Sequence, residues 1–174
     1  FGPWGETRWD ANDTVAVSDP ATDPDVGNLF ARLRATDYLP SWRDARSGGA
    51  LGPHAQAAAR KALVHRETFT TVYLDTLGRP FLTVARNRYE RDGAEIDDPP
   101  YVTRTVIDIE GNEREVFDAR VRVVMRYDYD MLGRRARQSS MEAGDRRTFA
   151  DIAAKPAYTW DSRGHTFRLA YDRL

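Results

Sequence analysis

The pattern of hydrophobic and polar positions divides the chain at about residue 67. Before it, apolar side chains recur at the i, i+3, i+4 and i+7 spacing of a helix, at Val26, Leu29, Phe30 and Leu33. A second short helical turn is expected up to about Arg46, and an alanine-rich segment over residues 53–66 has good helix formers throughout. Residues 1–67 are therefore predicted to form a region of extended segments and helices.

The first of these helices has a recognisable start signal. Asp23 is a suitable N-cap, and Pro24 would occupy the first helical position, where its missing N–H costs nothing. We therefore expect the helix to begin at this pair.

After residue 67 the pattern changes to that of strands. Residues 68–74 are β-branched and aromatic, which predicts a strand, and no helix is expected beyond them. Residues 90–100 contain Asp92-Gly93 and two prolines, and they are expected to form an exposed loop. Residues 68–174 are thus predicted to form a mainly β region.

A turn motif recurs through this second part, and Tyr127–Arg134 is its best-preserved copy. An aspartate follows an apolar or aromatic residue, a glycine comes three residues later, and several copies then have a basic residue. Aspartate can accept hydrogen bonds from the backbone just ahead of it, and glycine tolerates φ > 0. The complete copies are Asp75–Gly78, Asp108–Gly111, Asp130–Gly133 and Asp161–Gly164.

Three further copies are incomplete. Asp118 has Val121 and Asp151 has Ala154 at the glycine position, and Asp172 begins a copy at the end of the chain. We expect the two copies without glycine to have wider turns.

The spacing of the copies indicates the architecture. Most adjacent aspartates lie 10 to 12 residues apart, which is typical of short antiparallel strands joined by turns. A generic meander could use the same turn residues, but the combined motif favours a repeat, in which each unit packs against its neighbours. Aromatic residues before the turns, such as Tyr129 and Trp160, are expected to stack across strands.

At these residues the sequence resembles the RHS/YD-repeat family. The octet Tyr127–Arg134 is close to the family signature, and Tyr158–Gly164 is a variant of it. The segments at residues 9–15, 22–27 and 38–42 look like the helical insertion of the B component of bacterial insecticidal toxin complexes. Together the two resemblances cover nearly the whole chain.

The resemblance implies a structural function. Members of the family wind their strands into a long spiralling sheet, and B and C components together close a shell around the toxic end of the C component. The chain is therefore expected to be a non-catalytic wall segment of a longer, secreted polypeptide. Its partners would be the C component and the enclosed toxin, and it would need no cofactor, metal or catalytic residue. We recognise neither the propeller nor the toxin-cleaving aspartates of such assemblies.

Composition and charge narrow the alternatives. Hydrophobic residues make up 41% of the chain, charged residues 30%, and the formal net charge is −1, so no basic excess points to nucleic acid. The absence of cysteine excludes disulfides, thiolate zinc sites and a cysteine nucleophile. No run approaches the ~20 apolar residues of a membrane helix, and no membrane insertion is expected.

The sequence also allows two other functions, ligand binding and ADP-ribosylation, and it predicts self-association. Exposed tyrosine and tryptophan rows would suit a carbohydrate- or partner-binding module. Glu113-Arg114-Glu115, with Thr103-Arg104-Thr105 upstream, matches the paired-glutamate motif of ADP-ribosylating toxins. Open sheet edges would favour self-association of the chain.

Overall fold

A computed structural model of the chain describes residues 2–172. The chain is mainly β, with a large antiparallel sheet and few helices, which confirms the predicted fold class. The described residues form two compact units: one contains residues 2–5, 72–84 and 101–172, and the other contains residues 6–71 and 85–100. None of the described helices is long and apolar enough to span a bilayer.

The large sheet has ten strands in the order β1-β2-β3-β6-β7-β8-β9-β10-β11-β12. Their bounds are β1 Gly5–Arg8, β2 Thr70–Leu74, β3 Pro80–Ala85, β6 Tyr101–Ile107, β7 Glu113–Phe117, β8 Val123–Tyr129, β9 Arg135–Ser140, β10 Gly144–Ala150, β11 Pro156–Asp161 and β12 Thr166–Arg168. From β6 to β12 each strand pairs antiparallel with the next along the chain. This part of the sheet is therefore the meander that the turn spacing predicts.

The register of the meander is defined by its residue pairs. Val116 lies opposite Met125, and Tyr127 lies opposite Gln138. Four register shifts interrupt the ladders, and each occurs just before one of the repeated aspartates. Because a shift places two residues opposite one, it bends and twists the strand as it enters the turn.

The second unit contains the helices and a separate hairpin. Its α-helices are α1 Gly27–Phe30, α2 Trp42–Ser47 and α3 Pro53–Val64, and its short 3-10 helices are Pro20–Thr22 and Ala35–Asp37. Helix α3 begins with Pro53, as its sequence predicts, and ends two residues before the predicted limit. Beyond α3, no helix occurs in the described residues.

The first predicted helix is much shorter than its periodicity indicates. Asp23 caps the helical turn that leads into it, as predicted: its carboxylate accepts hydrogen bonds from the N–H groups of Asp25 and Val26, and its carbonyl accepts from the N–H of Gly27. The regular helix α1 starts only at Gly27 and ends at Phe30, and the backbone continues to Leu33 through tighter i to i+3 hydrogen bonds. Asp19-Pro20 caps the first 3-10 helix in a similar way.

The expected loop over residues 90–100 is wrong up to Asp97. Residues Arg88–Arg91 and Ala94–Asp97 form the hairpin β4–β5. Asp92 and Gly93 both have positive φ, 53° and 79°, as a two-residue hairpin turn of type I′ requires. The Asp-Gly pair is therefore a hairpin signal, and the structure uses it as one.

Burial within the chain is sparse. In the described residues the buried apolar side chains are Ala59 and Val64 in one unit and Val72 and Tyr127 in the other. The accessible surface is 12931 Å², whereas two separate compact proteins of half its mass would together expose about 10,400 Å². Within the unit that contains β6 to β12, the described residues form strands of one sheet and no helix, so this unit by itself is a single layer.

Candidate functional site

The repeated turns are the most regular feature of the molecule, and the Asp130 turn shows their geometry. The N–H of Asp130 donates to the carbonyl of Arg134, and the N–H of Gly133 donates back to the carbonyl of Asp130. One carboxylate oxygen of Asp130 accepts from the N–H groups of Leu132 and Arg134, both at 2.9 Å. The carboxylate therefore replaces the backbone partners that a tight turn leaves unsatisfied.

Six turns in the described chain share this geometry. In each, the carboxylate of the aspartate accepts from the backbone N–H groups two and four residues ahead, at 2.9 or 3.0 Å. The six aspartates are Asp75, Asp108, Asp118, Asp130, Asp151 and Asp161. The copy at Asp172 would need residues outside the described part of the chain.

The fourth position of every turn has left-handed backbone geometry. The glycines there have φ of 74° at Gly78, 96° at Gly111, 72° at Gly133 and 84° at Gly164. A turn followed by one left-handed residue is the usual three-residue hairpin connection with a bulge. This geometry explains why a residue without a Cβ is preferred at the fourth position.

The expectation of wider turns at Val121 and Ala154 is wrong. Val121 has φ of 60° and Ala154 has φ of 62°, and both turns keep the hydrogen bonds of the glycine copies. A left-handed conformation is costly for L-residues, and most of all for β-branched ones. The hydrogen bonds to the aspartate therefore impose the same turn geometry even where a residue with a Cβ occupies the fourth position.

The fifth position supplies a side chain to the same carboxylate. Arg79 and Arg134 donate through Nε to the second carboxylate oxygen at 2.7 Å, and Arg122 does so at 2.8 Å. Asn112 donates to Asp108 at 3.1 Å, and His165 lies 2.9 Å from Asp161. In five of the six described turns, the side chain at the fifth position thus interacts with the carboxylate of the aspartate.

Two of these arginines also reach the next turn at the same end of the sheet. In a meander, successive turns alternate between the two ends of the strands. Arg134 Nη1 donates to the carbonyl of Asp151 at 2.9 Å, which joins the turn after β8 to the turn after β10. Arg79 Nη1 donates to the carbonyl of Asp108 at 3.3 Å. The turns are therefore tied to one another along one end of the sheet.

The expected stacking of pre-turn aromatic residues across strands does not occur among the described residues. Phe117 and Tyr129 are instead approached by arginines of neighbouring strands, Arg104 at 4.3 Å and Arg114 at 5.9 Å from the ring centroids. Trp160 stacks on Tyr158 of its own strand. Arginine on an aromatic face is favourable, because the cation interacts with the π electrons.

Tyr127, inside the octet, is the buried aromatic residue of the sheet. It is 9% exposed, and the guanidinium of Arg135 lies 4.0 Å from its ring centroid. The burial of Tyr127 can be predicted because β8 lies in the middle of the sheet. The contact with Arg135 cannot, because it depends on the register shift between Asp128 and Tyr129.

Hydrogen bonding lowers the pKa of most of the turn aspartates. For Asp75 and Asp130 the largest cause is the backbone N–H of the fifth residue. For Asp118 and Asp161 it is the side chain at that position. At Asp108 desolvation is the largest effect and raises the pKa, but the combined hydrogen bonds outweigh it and the net shift is downward.

These shifts predict an acid-sensitive sheet. A carboxylate whose pKa is lower when folded contributes stability above its unfolded pKa and loses it as the pH falls through the folded value. We expect the urea concentration at the midpoint of unfolding to be independent of these groups near neutral pH. It should decrease when the pH falls below 3.8, the ordinary pKa of an aspartate. The Asp130→Asn variant should show a smaller fall over the same range, and an equal fall in both proteins would contradict the assignment.

One of the paired glutamates takes part in an ion pair within the sheet. Glu115 accepts a hydrogen bond from Arg126 Nε at 2.9 Å on the neighbouring strand β8, and Arg104 lies over the ring of Phe117. No group of three metal-ligating side chains occurs in the described residues.

Comparison with known proteins gives a structural match and no sequence match. No family model matches the chain, and no curated protein matches it. The Tc holotoxin pore of Photorhabdus luminescens, carrying a substitution in TccC3, matches with a TM-score of 0.63 and 18% identity over 99% of this chain and 7% of that chain. The crystal structure of TcdB2-TccC3-Cdc42 matches with a TM-score of 0.62 and 19% identity over the same shares.

A third solved structure, TcdB2-TccC3 without its hypervariable C-terminal region, matches with a TM-score of 0.61 and 18% identity over 99% of this chain and 6% of that chain. The chain thus spans only 6 to 7% of the length of these structures. At such identities the likeness establishes the fold, which is that of a segment of Tc toxin chains.

Proposed function

We propose that the chain is a non-catalytic wall segment of a YD-repeat shell, in the B component of a secreted Tc-type toxin complex. The shell would enclose a toxin polypeptide carried by the C component. The observation that carries this proposal is a single-layer sheet, stabilised at its turns, whose faces remain largely exposed within its own unit of the chain.

The stabilising interactions of the sheet are consistent with a function as a shell wall. An isolated layer buries little apolar surface, so its hydrophobic stabilisation is small. Exposed apolar residues such as Val102, Phe149 and Phe167 lie on its strands. The turns compensate locally, since each fixes its strands through several hydrogen bonds and some bond to the next turn. Such a layer can be extended by adding hairpins.

The structural matches favour a function as part of the shell over a function as part of the enclosed toxin. The structure that lacks a hypervariable C-terminal region still aligns with 99% of this chain. The matched segment therefore does not depend on that region. This supports a function for the chain outside the variable part of such complexes.

Two adjacent arginines allow a direct test. Arg146 and Arg147 are both exposed on β10, and successive residues of a strand point to opposite faces. Arg146 lies opposite Gln138, and Arg147 lies opposite Arg137. Because the chain has no cysteine, Arg146→Cys and Arg147→Cys each introduce one thiol, one on each face.

We expect both variants of the chain alone to react with a bulky polyethylene-glycol maleimide. When the same substitutions are placed in the complete B component that would contain this segment, and that protein is assembled with its C component into a closed shell, only one thiol should react, because the other faces the enclosed space. Opening the complex with denaturant should restore its reaction. Equal labelling of both thiols in the assembled complex would overturn the wall proposal.

A further inference from the structure

A polar cavity lies at one end of the large sheet, where the turn after β9 and the turn after β11 approach each other. It has a volume of about 410 Å³, which is within the size range of small-molecule sites. The side chains that matter for its chemistry are polar or charged, and they are Gln138, Ser140, Arg146, Asp161, Ser162 and Arg163.

The two turns are in close contact at this cavity. Ser162 Oγ lies 3.5 Å from the carbonyl oxygen of Ala143 in the other turn. Gly144 allows this approach, because an added Cβ there would clash with the side chain of Ser162. The cavity is therefore bounded by two turns that pack directly against each other.

Two arginines of the lining have no partner for their side chains. Neither the guanidinium of Arg146 nor that of Arg163 takes part in an ion pair, a hydrogen bond or a ring contact among the described residues. Both residues are exposed. Two positive charges in one cavity are therefore available to a ligand.

The carboxylates beside Arg146 are engaged elsewhere. Asp161 lies directly opposite Arg146, but one of its carboxylate oxygens accepts from two backbone N–H groups of its own turn. The other oxygen lies 2.9 Å from Nδ1 of His165. Asp145 precedes Arg146 on β10, so it points to the opposite face, and it pairs with Arg137. Neither carboxylate forms an ion pair with Arg146.

Neutral hydrogen-bond donors accompany the two guanidinium groups. Gln138 lies opposite Arg146 on β9, so the two side chains share a face of the sheet, and the amide of Gln138 is unpaired among the described residues. Ser140 Oγ accepts from the N–H groups of Glu142 and Ala143, which leaves its O–H free to donate. The lining thus combines charged and neutral donors, as sites for oxyanions do.

We propose that this cavity binds a phosphate group, as inorganic phosphate or as a small phosphate monoester. Arginine forms bidentate hydrogen bonds with phosphate oxygens, and two guanidinium groups match the charge of nearly two that a monoester carries at neutral pH. A carboxylate would bind less tightly, because it carries one charge and has two oxygens. None of the described lining residues is aromatic, so recognition rests on the phosphate and not on a stacked ring.

This site goes beyond the wall function and does not depend on it. A wall segment needs no ligand, and neither guanidinium contributes to the hydrogen bonds of the turns. The experiment below therefore succeeds or fails independently of the labelling test.

Titration of the chain with inorganic phosphate and with phenyl phosphate tests the proposal, using phosphorus NMR and calorimetry at constant ionic strength. We expect saturable binding of at least one of the two, and the tighter one identifies the form of phosphate that the cavity prefers. Acetate should bind more weakly than either. Arg146→Ala and Arg163→Ala should each weaken the binding about tenfold, since each removes a charge-assisted hydrogen bond. Arg146→Lys keeps the charge but loses the planar fork, and its effect should be smaller.

Arg147→Ala is the matched control, because Arg147 is the next residue of β10, is also exposed and points to the opposite face. It removes the same charge and should bind phosphate as the unsubstituted chain does. The proposal is overturned if neither phosphate binds saturably or if acetate binds as tightly. It is also overturned if Arg146→Ala and Arg163→Ala bind with unchanged affinity, or if Arg147→Ala weakens binding as much as they do.

Discussion

Replacing Tyr127 by alanine is expected to lower the free energy of unfolding by about 3 kcal/mol, as truncation of a buried aromatic side chain generally does. Tyr127 is 9% exposed in a sheet that buries few other side chains. The substitution also removes the ring under the guanidinium of Arg135. With so sparse a core, no other buried aromatic residue of the sheet can take over this packing.

Two control variants separate the buried ring from general effects on strands. Tyr127→Phe keeps the ring and should change the free energy of unfolding by less than about 1 kcal/mol. Tyr73→Ala removes a tyrosine that is 43% exposed on β2, and its effect should be the smaller one. Urea denaturation of the three variants measures the differences. If Tyr127→Ala costs no more than Tyr73→Ala, the ring is not the core of the sheet.

The meander could be predicted because its signals are local. Aspartate, glycine and an apolar residue before the turn lie within five positions, and each acts through the backbone next to it. The hairpin β4–β5 carries an equally local signal at Asp92-Gly93, but its flanking strands are charged and lack apolar alternation. Together with the acidic residues and prolines that follow it, this composition favours a loop. The positive φ of both Asp92 and Gly93 shows that the segment forms a hairpin and not a loop.

The first helix could not be predicted from periodicity alone. Apolar residues from Val26 to Leu33 have helical spacing, yet that spacing is also compatible with a succession of short turns. Asp23 caps the first turn, but after Ala31 the backbone bonds change from i to i+4 to i to i+3. Because a short helix gains too few consecutive backbone bonds to be favourable by itself, α1 stays a single turn.

The connection between turns needed the structure. The sequence indicates a basic residue at the fifth position, and charge alone suggests an ion pair with the nearby aspartate. Whether Arg134 reaches the carbonyl of Asp151 depends on the register of β8, β9 and β10, which places alternate turns side by side. Asn112 occupies the same position at Asp108 but is shorter, and its side chain donates to Asp108 and Glu110 of its own turn.

Gly133→Val is expected to destabilise the sheet by about 2 kcal/mol, because it forces a β-branched residue into the left-handed region. A Cβ at Gly133 would meet no atom within 4 Å beyond its chain neighbours, so the Cβ itself has room. The expected cost therefore comes mainly from φ of 72°.

The reverse substitution at Val121 should act in the opposite direction. Val121 has φ of 60° and is exposed, so Val121→Gly relieves backbone strain and loses little packing. We expect a gain of about 1 kcal/mol, the strain relieved less the additional entropy of glycine in the unfolded chain. Val121→Ala, which keeps a Cβ but removes the branching, should fall between the two.

Thermal unfolding of the three variants provides the measurement, with circular dichroism to confirm that the strands are retained. A native melting temperature for Gly133→Val would show that the turn does not require left-handed geometry. If Gly133→Val is destabilised but Val121→Gly gains nothing, the strain at Val121 is relaxed in solution. Opposite changes at the two positions would establish that one backbone geometry underlies every copy of the repeat, and that the aspartate imposes it where glycine is missing.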